Sequence, residues 1–376
     1  MLDSNKSFFE KNSKKIIFVI VTLVFILLLL LTEFILSSTV EIRPNANKRF
    51  INLREVPPYT NTFALSDDPN YDKVIVKTDS DGIIKYRGSH NNPDIKVFFI
   101  GSSTLMTINH PDSNRLSDRT GMTLEKLLGK KVNTYNSAYS ATTSFDGLNV
   151  LVNKAIPYKP DYIVFMFNAV DLIKLNIDMN YYWKTNLIQQ RIEVIDIFRN
   201  IKNKYFPNLY YLISQNLELN LGNLTDRFLT LLGFEKTKLI TIKKQNHLKD
   251  FDFDNAKLLY GKNLKSIIAI SKINNIKPIF LTEALDKSKI LKDPEIMKIG
   301  VNEFMEFHKK FNLEARKIAK ENSIDIVDLE KSMIDSSLFS DKFHYSPDGI
   351  RFVSSQIANK IYNIEKNTMR ETIDRK

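Results

Sequence analysis

Two hydrophobic patterns alternate along most of the chain. Short runs of consecutive apolar residues, such as residues 97–100 (VFFI) and 162–167 (YIVFMF), are each followed by longer stretches with apolar residues at helical spacing. A continuous apolar run bounded by turn residues is typical of a strand buried on both faces, and the longer periodic segments are typical of amphipathic helices. Strands that alternate with helices predict an α/β fold: a doubly wound parallel sheet with helices on both faces, in a flavodoxin-like three-layer arrangement.

The predicted elements begin at about Asp94. Strands are expected at residues 97–100, 131–135, 162–167, 278–282 and 324–329. Residues 123–128 are expected to be part of a helix that ends at Gly129, and further helices are expected at residues 144–156, 255–273, 302–321 and 347–364.

The most hydrophobic stretch of the chain lies near its start. Residues 16–36 begin with IIFVIVTLVFILLLLL, and Glu33 is their only charged residue. A membrane-spanning helix needs about 20 residues, and positive charge on a short leading segment is typical of the cytosolic side. Residues 1–15 carry four lysines. We therefore predict an uncleaved signal anchor with a cytosolic N-terminus and an extracytoplasmic remainder. A cleaved signal peptide is the alternative.

Two further segments interrupt the alternation. Residues 37–90 are punctuated by prolines and contain one strand-like run, so we expect a linker with a small β element. Residues 172–250 are rich in Leu, Ile, Asn and Tyr. A connection this long is expected to be a structured, helical insertion, which either caps the active edge of the sheet or decorates its periphery. The α/β domain itself is expected over residues 91–368.

Composition narrows the chemistry. The chain has no cysteine, which excludes disulfides, thiolate metal sites and cysteine nucleophiles. None of its five histidines lies close to another in sequence, so we expect no metal site, and no cofactor is indicated. The net charge is +11, but the lysines are spread along the chain without a nucleic-acid recognition motif. An anionic membrane or a polyanionic glycan is the better partner, and a solvated lysine-rich surface is the simplest interpretation.

One apolar run leads directly into a small-residue turn, Gly101-Ser102-Ser103-Thr104. Open α/β sheets bind ligands at the carboxyl ends of their strands, which is where this turn lies. The same residues also suit a plain strand-to-helix connection, because Ser and Thr cap helices. A serine becomes a good nucleophile only where a base takes its proton, so the question is whether the chain supplies a histidine there.

A candidate base lies near the carboxyl end, in residues 341–349 (DKFHYSPDG). Asp341 and His344 are three residues apart and can meet on one turn. The carboxylate then accepts from one ring nitrogen while the other faces the serine, as in a Ser-His-Asp triad. Because this segment follows a predicted strand, we expect it at the same edge of the sheet as Ser103. An exposed turn histidine beside an acid is the simpler alternative.

Together these segments resemble the SGNH, or GDSL-like, hydrolase family over about residues 91–365. The turn at Ser103 is similar to the first block of that family, with Ser102 where an aspartate usually stands, and residues 341–349 are similar to its last block. Serine first and Asp-x-x-His last is the order of this family and differs from that of α/β-hydrolases. The resemblance implies Ser103 as nucleophile, His344 as base and Asp341 as its orienter.

Acyl transfer also needs donors for a developing oxyanion. The backbone N–H of Ser103 is one natural donor. The resemblance places Ala138 where the family has its oxyanion glycine, and Val170 where it has its catalytic asparagine. Asn168, two positions earlier, is then the candidate amide donor. Loss of one such donor typically lowers kcat by about 10²–10³.

The sequence therefore predicts a membrane-anchored, extracytoplasmic SGNH-type serine esterase or O-acyl(acetyl)transferase that uses no cofactor. Its ester is expected on a cell-surface glycan, with water or a sugar hydroxyl resolving the acyl-enzyme. Two alternatives stay open. One is a catalytically weak or inactive glycan-binding or scaffold protein of an envelope assembly. The other is a lipid esterase in which residues 172–250 form an apolar lid.

Overall fold

The computed structural model describes residues 12–39, 61–178 apart from 67, 69 and 87, 205–206, 209 and 251–374. Most of the predicted insertion at 172–250 lies outside the described residues, as do residues 1–11 of the predicted cytosolic segment and residues 40–60 of the predicted linker. Contacts divide the chain into two units, residues 1–49 with 184–241 and residues 50–183 with 242–376.

The first unit contains a long apolar helix, α1 (Ser13–Thr39). Its apolar part has a mean hydropathy of 3.0 and is long enough to cross a membrane. A signal sequence near the N-terminus has the same properties. The hydroxyls of Thr22 and Thr32 each donate at 2.8 Å to a carbonyl one turn earlier, so both are satisfied within the helix. Glu33 accepts from the backbone N–H of Leu209 at 2.8 Å.

The second unit is an α/β domain. Its strands are β1 (Asn61–Leu65), β2 (Lys73–Lys77), β3 (Ile84–Lys85), β4 (Ile95–Gly101), β5 (Val132–Asn136), β6 (Tyr162–Met166), β7 (Lys277–Leu281) and β8 (Asp325–Val327). Its described helices are α2 (Ser103–Met106), α3 (Leu116–Leu128), α4 (Ser144–Val150), α5 (Ala169–Asp178), α6 (Phe253–Ile273), α7 (Lys287–Ile290), α8 (Pro294–Ile299), α9 (Val301–Glu321), α10 (Leu329–Ser332) and α11 (Pro347–Asp374).

Six strands form one sheet in the order β3-β5-β4-β6-β7-β8. The short edge strand β3 is antiparallel to β5, and the other neighbours are parallel. Strands β1 and β2 pair in a separate hairpin within the stretch predicted as a linker. The predicted doubly wound sheet is confirmed, and its parallel strands follow the flavodoxin-like order. Strand β4 is central, and the strand order reverses beside it.

Three predicted helices differ clearly from the structure in length. Helix α3 begins at Leu116, seven residues before the predicted residues 123–128. Helix α4 ends at Val150 and continues as a π-helical turn (Leu151–Ala155) and a 3-10 turn (Ile156–Tyr158). Pro157 in that last turn cannot donate a backbone hydrogen bond, so the regular helix stops before it. Helix α11 runs ten residues past its predicted end at 364, because no proline or glycine interrupts residues 350–376.

Hydrophobic clusters cover both faces of the sheet. Phe98 and Ile100 of β4 enter the cluster that α6 and α9 complete, whereas Val97 and Phe99 enter the one that α3 and α11 complete. Each of these four side chains is at most 1% exposed. Burial on both faces explains the continuous apolar run, because neither set of alternating residues meets water. It also fixes the carboxyl end of β4, where the turn at Ser103 begins.

Gly349, in the first turn of α11, packs directly against the preceding 3-10 turn (Ser336–Leu338). A Cβ on Gly349 would overlap the carbonyl oxygen of Leu338. That oxygen also accepts from the backbone N–H of Ser346 at 3.0 Å. The contact closes the segment that carries Asp341 and His344, so it holds the candidate base in place.

We expect Gly349→Ala to destabilise the domain by about 1–3 kcal/mol or more, because the added methyl group displaces backbone atoms. The matched control is Gly261→Ala in α6, where the nearest atom to a Cβ is the Ile318 side chain at 3.4 Å. That change fits and removes a mid-helix glycine, so we expect stabilisation of about 0.5–1 kcal/mol. Denaturant unfolding of both variants measures the effects, and changes of the same sign would contradict this description.

Candidate active site

Ser103 lies at the carboxyl end of the central strand. Gly101 ends β4, and a Cβ there would come within 2.9 Å of the Met166 carbonyl oxygen and 2.7 Å of the Leu105 side chain. Only glycine permits this close approach, after which the chain turns and starts α2 at Ser103. As the first helical residue, Ser103 has a backbone N–H without an acceptor inside the helix. The turn therefore presents both a hydroxyl and an N–H donor at the sheet edge.

The turn from Asp341 to His344 is closed by its own carboxylate. Asp341 Oδ1 accepts from the backbone N–H groups of Phe343 at 2.7 Å and His344 at 2.8 Å. This is the aspartate-centred turn that brings side chain and backbone together locally. Asp341 Oδ2 lies 2.6 Å from Nδ1 of the His344 ring. The carboxylate thus fixes both the turn and the ring that it carries.

The other ring nitrogen faces the serine. Nε2 of His344 lies 2.9 Å from Oγ of Ser103. Because an ionised carboxylate only accepts hydrogen bonds, the Asp341 contact assigns the ring proton to Nδ1. Nε2 is then left to accept from the Ser103 hydroxyl. The structure thus brings together the three residues that the sequence singled out, in the order in which a base activates a serine.

Tyr345 anchors this turn to the sheet. Its side chain is 1% exposed, and its hydroxyl lies 3.8 Å from the sulfur of Met166, the last residue of β6. Its backbone carbonyl lies 3.2 Å from Nε2 of His110, which follows α2. Burial raises the pKa of the Tyr345 hydroxyl well above its usual range. The residue next to His344 is therefore fixed to the elements that also position Ser103.

The environment of Asp341 favours its charged form. Burial works against ionisation, but hydrogen bonds from the His344 ring and from the backbone N–H groups of His344 and Phe343 outweigh it. The pKa of Asp341 is therefore held far below its usual range. The side chains of Asp341 and His344 are 53% and 34% exposed, so the pair also remains accessible to solvent.

Ser103 and His344 open into a small cavity of about 220 Å³. The other residues lining it are Thr104, Met106, Thr107, Ile108, Asn109, His110, Ser140 and Tyr345. Pockets for drug-sized ligands measure about 300–1,000 Å³, so this cavity suits a small group. A larger groove of about 760 Å³, lined by residues such as Met305, Arg316 and Phe339, includes neither Ser103 nor His344.

The two other predicted oxyanion donors have acceptors within the protein. Ala138 N–H donates to Asn136 Oδ1 at 2.9 Å, and the Asn168 amide donates to the His308 carbonyl at 2.9 Å. Both side chains are buried, and neither residue lines the Ser103 cavity. With these acceptors, neither the Ala138 N–H nor the Asn168 amide donates its hydrogen bond toward Ser103. Their oxyanion role stays a prediction.

A buried carboxylate that the sequence did not signal supports the loop of Asn168. Glu283 follows β7 and is 2% exposed. Its Oε2 accepts from the Ala169 N–H at 2.7 Å and lies 3.3 Å from Nε2 of His308. Glu283 thus fixes the backbone just after Asn168, and His308 supplies the carbonyl that the Asn168 amide contacts. A single glutamate after an apolar strand carries no sequence pattern that would have indicated this.

No family model and no curated protein matches the sequence. Several solved structures are similar at low identity. A lipase/acylhydrolase from Enterococcus faecalis is 16% identical, with 72% of this chain and 96% of that one covered and a TM-score of 0.42. A GDSL-like lipase from Bacteroides thetaiotaomicron is 14% identical, with coverages of 72% and 88% and a TM-score of 0.39. An acetylxylan esterase from Geobacillus stearothermophilus is 14% identical, with coverages of 73% and 96% and a TM-score of 0.40.

The contacts of Asp341 predict a carboxyl group that stays ionised in acid. We expect its pKa, followed by NMR, to lie below the ordinary value of about 3.9 and to rise toward it in His344→Ala. A lowered folded-state pKa stabilises the fold above the unfolded pKa, and this contribution is lost as the pH falls through the folded value.

Asp335 is the matched control for this titration. Its pKa is also lowered, by the backbone N–H and the side chain of Ser337, and it has no bond to His344. We expect its titration to be the same in both proteins. An Asp341 titration that His344→Ala leaves unchanged would show that the ring does not hold the carboxylate.

Proposed function

We propose that this protein is an SGNH-type serine esterase or O-acyltransferase with Ser103 as its nucleophile. The observation that carries this proposal is the continuous chain of hydrogen bonds from Asp341 through His344 to Ser103, at 2.6 Å and 2.9 Å. Its position supports the same function, because β4 ends at the point where the strand order reverses and where such sheets bind ligands.

In the proposed reaction, Ser103 Oγ attacks the acyl carbonyl while His344 Nε2 takes the hydroxyl proton. Asp341 keeps the ring oriented and stabilises the imidazolium that forms. His344 then returns the proton to the leaving alcohol, which leaves an acyl ester on Ser103. Water or a second alcohol attacks this ester with His344 again as base, which releases the acid or the new ester and restores Ser103. Hydrolysis and transfer differ only in this second nucleophile.

We further propose a short acyl group, such as acetyl, on a cell-surface glycan as the substrate. The cavity of about 220 Å³ at Ser103 supports the short acyl group. The glycan is supported by the proposed location of the domain outside the membrane, with residues 16–36 as anchor and residues 1–15 in the cytosol. Helix α1 has the length and hydropathy for such an anchor.

We expect a fluorophosphonate probe, which reacts with activated serine hydroxyls, to label the protein at Ser103. Ser103→Ala should abolish labelling, and His344→Ala should slow it by about 10²–10⁴, the usual contribution of a general base. The matched control is Ser102→Ala, which removes the neighbouring buried hydroxyl and should leave labelling intact. Identical labelling of wild type and Ser103→Ala would refute the nucleophile assignment.

One observation favours a second candidate, a non-catalytic glycan-binding or scaffold protein. Ala138 and Asn168, the two predicted oxyanion donors besides Ser103, donate to other acceptors. An acyl-transfer site with fewer oxyanion donors turns over slowly. Glycan binding without acetyl-ester hydrolysis, unaffected by His344→Ala, would favour this candidate. The lid proposed for a lipid esterase falls in residues 172–250, mostly outside the described residues.

Replacement of Asn168 distinguishes a structural amide from an oxyanion donor. If the amide only satisfies the His308 carbonyl, Asn168→Ala should lower the free energy of unfolding by about 1–3 kcal/mol and change kcat only a few-fold. Denaturant unfolding and kcat for an acetyl ester measure the two effects on the same protein. A drop in kcat of about 10²–10³ at unchanged stability would instead show that the amide reaches the reacting oxygen.

A further inference from the structure

A second polar cavity lies beside the Ser103 cavity. It has a volume of about 540 Å³, and we call it the arginine cleft. Three parts of the chain line it: the region between β1 and β2, the loop before α3, and the facing first turns of α3 and α11. Its polar lining includes Asp68, Asn70, Asn114, Arg119, Asp348 and Arg351.

Two guanidinium groups share this cleft. Arg119 donates through Nε to Asn114 Oδ1 at 2.6 Å, and in the described part of the chain its terminal nitrogens have no acceptor. Arg351 pairs with Asp348 one turn earlier, with both side chains more than half exposed. Burial lowers the pKa of Arg119, and the positive charge of Arg351 lowers it further. The two cations therefore repel each other. Of the two carboxylates that line the cleft, Asp348 pairs with Arg351, and among the described residues neither pairs with Arg119.

The buried carboxylate of the cleft already accepts hydrogen bonds from neighbouring residues. Asp68 is 7% exposed, and its Oδ1 accepts from both the backbone N–H and the side-chain amide of Asn70. Its Oδ2 accepts from the Asn114 amide at 3.4 Å. These neutral donors orient Asp68, and among the described residues no ion pair joins it to Arg119. The terminal N–H groups of Arg119 are thus available to donate hydrogen bonds to a ligand.

Residues adjacent in sequence line the Ser103 cavity and the arginine cleft. Residues 108–110 line the Ser103 cavity, and the next residues along the chain, among 111–114, line the cleft. The same holds at the other end of the chain, where His344 and Tyr345 line the first cavity and residues of 347–351 the second. Neighbouring residues at both ends of the domain thus line the two cavities, and no lining residue belongs to both.

We propose that the arginine cleft binds an anionic group, a carboxylate or a phosphate, that the substrate carries near its ester. This inference rests on the proposed function of Ser103 and names an acidic glycan as its substrate class. Guanidinium groups match the paired oxygens of carboxylates and phosphates, and they bind them through charge-assisted hydrogen bonds. An anion between Arg119 and Arg351 also removes the repulsion between them.

Acetyl esters that differ in charge test the proposal on the full-length enzyme. The probes are an O-acetylated uronic-acid oligosaccharide, the same compound with its carboxyls reduced to alcohols, and an O-acetylated polyol-phosphate oligomer. We expect a higher kcat/KM for at least one anionic probe, and the preferred one identifies the anion. Arg351→Gln should lower that kcat/KM by about tenfold to a hundredfold, mainly through KM, and leave the neutral probe unaffected.

Arg370→Gln is the matched control. It removes the same charge from an exposed position on the same helix, 19 residues and roughly 28 Å further along. We expect no selective effect from it. An equal loss in Arg370→Gln and Arg351→Gln would overturn the proposal, because it would indicate a general effect of net charge. Equal kcat/KM for charged and neutral probes in the active wild type would also overturn it.

Binding without turnover separates this proposal from the proposed function. In Ser103→Ala, calorimetric titration with the deacetylated anionic oligosaccharide should show binding that a further Arg351→Gln or Arg119→Gln weakens by about tenfold or more. An enzyme that fails to turn over but binds in this arginine-dependent way contradicts only the esterase function. Binding that neither arginine substitution changes contradicts only the arginine cleft.

Discussion

The hydrogen bond between Ser103 Oγ and His344 Nε2 joins two positions 241 residues apart, and the candidate site depends on it. Neither partner is placed by local structure alone. Ser103 is fixed because β4 is buried on both faces in the middle of the sheet and because Gly101 lets the chain turn against β6. His344 is fixed because the next residue, Tyr345, is buried against the end of β6. The strand order thus brings the two ends of the domain together.

The parts of this site that were predictable from sequence are the ones with local patterns. Residues 97–100 and 162–167 are continuously apolar, as is typical of strands in a parallel sheet that is covered on both faces. Asp341 and His344 lie three residues apart, so one turn suffices to bring them into contact. The pairing with Ser103 then followed from placing both segments at the same sheet edge.

The parts that the sequence left open depend on contacts between distant segments. Asn168 lies at the expected sheet edge, but its amide meets the His308 carbonyl on α9, a contact that no spacing in the chain encodes. The arginine cleft likewise exists only where α3, α11 and the region between β1 and β2 meet. Helix α11 extends past its predicted end at residue 364. The hydrophobic periodicity weakens there, but no terminating residue ends the helix.

The charged side chains around the site differ in their burial and in their hydrogen-bond partners. Asp341 is solvent-accessible and held ionised by its turn and by the His344 ring, which suits its proposed role as the partner of a histidine base. Glu283 is buried near the sheet edge, where it accepts a hydrogen bond from the backbone of the neighbouring loop. Arg119 and Arg351 line the arginine cleft, where Arg119 bonds the Asn114 amide oxygen and Arg351 pairs with Asp348. These differences connect the proposed chemistry at Ser103 with the proposed recognition of an anionic substrate.

The proposed covalent acyl-enzyme provides the most direct test of the catalytic assignment. Rapid-quench peptide mass spectrometry during turnover of an acetyl ester shows which side chain carries the acetyl group. We expect an acetyl ester on Ser103 that forms and decays at rates consistent with kcat. Acetyl-ester turnover with no acetylated Ser103, or with the acetyl group on another residue, would contradict the assignment of Ser103 as the nucleophile.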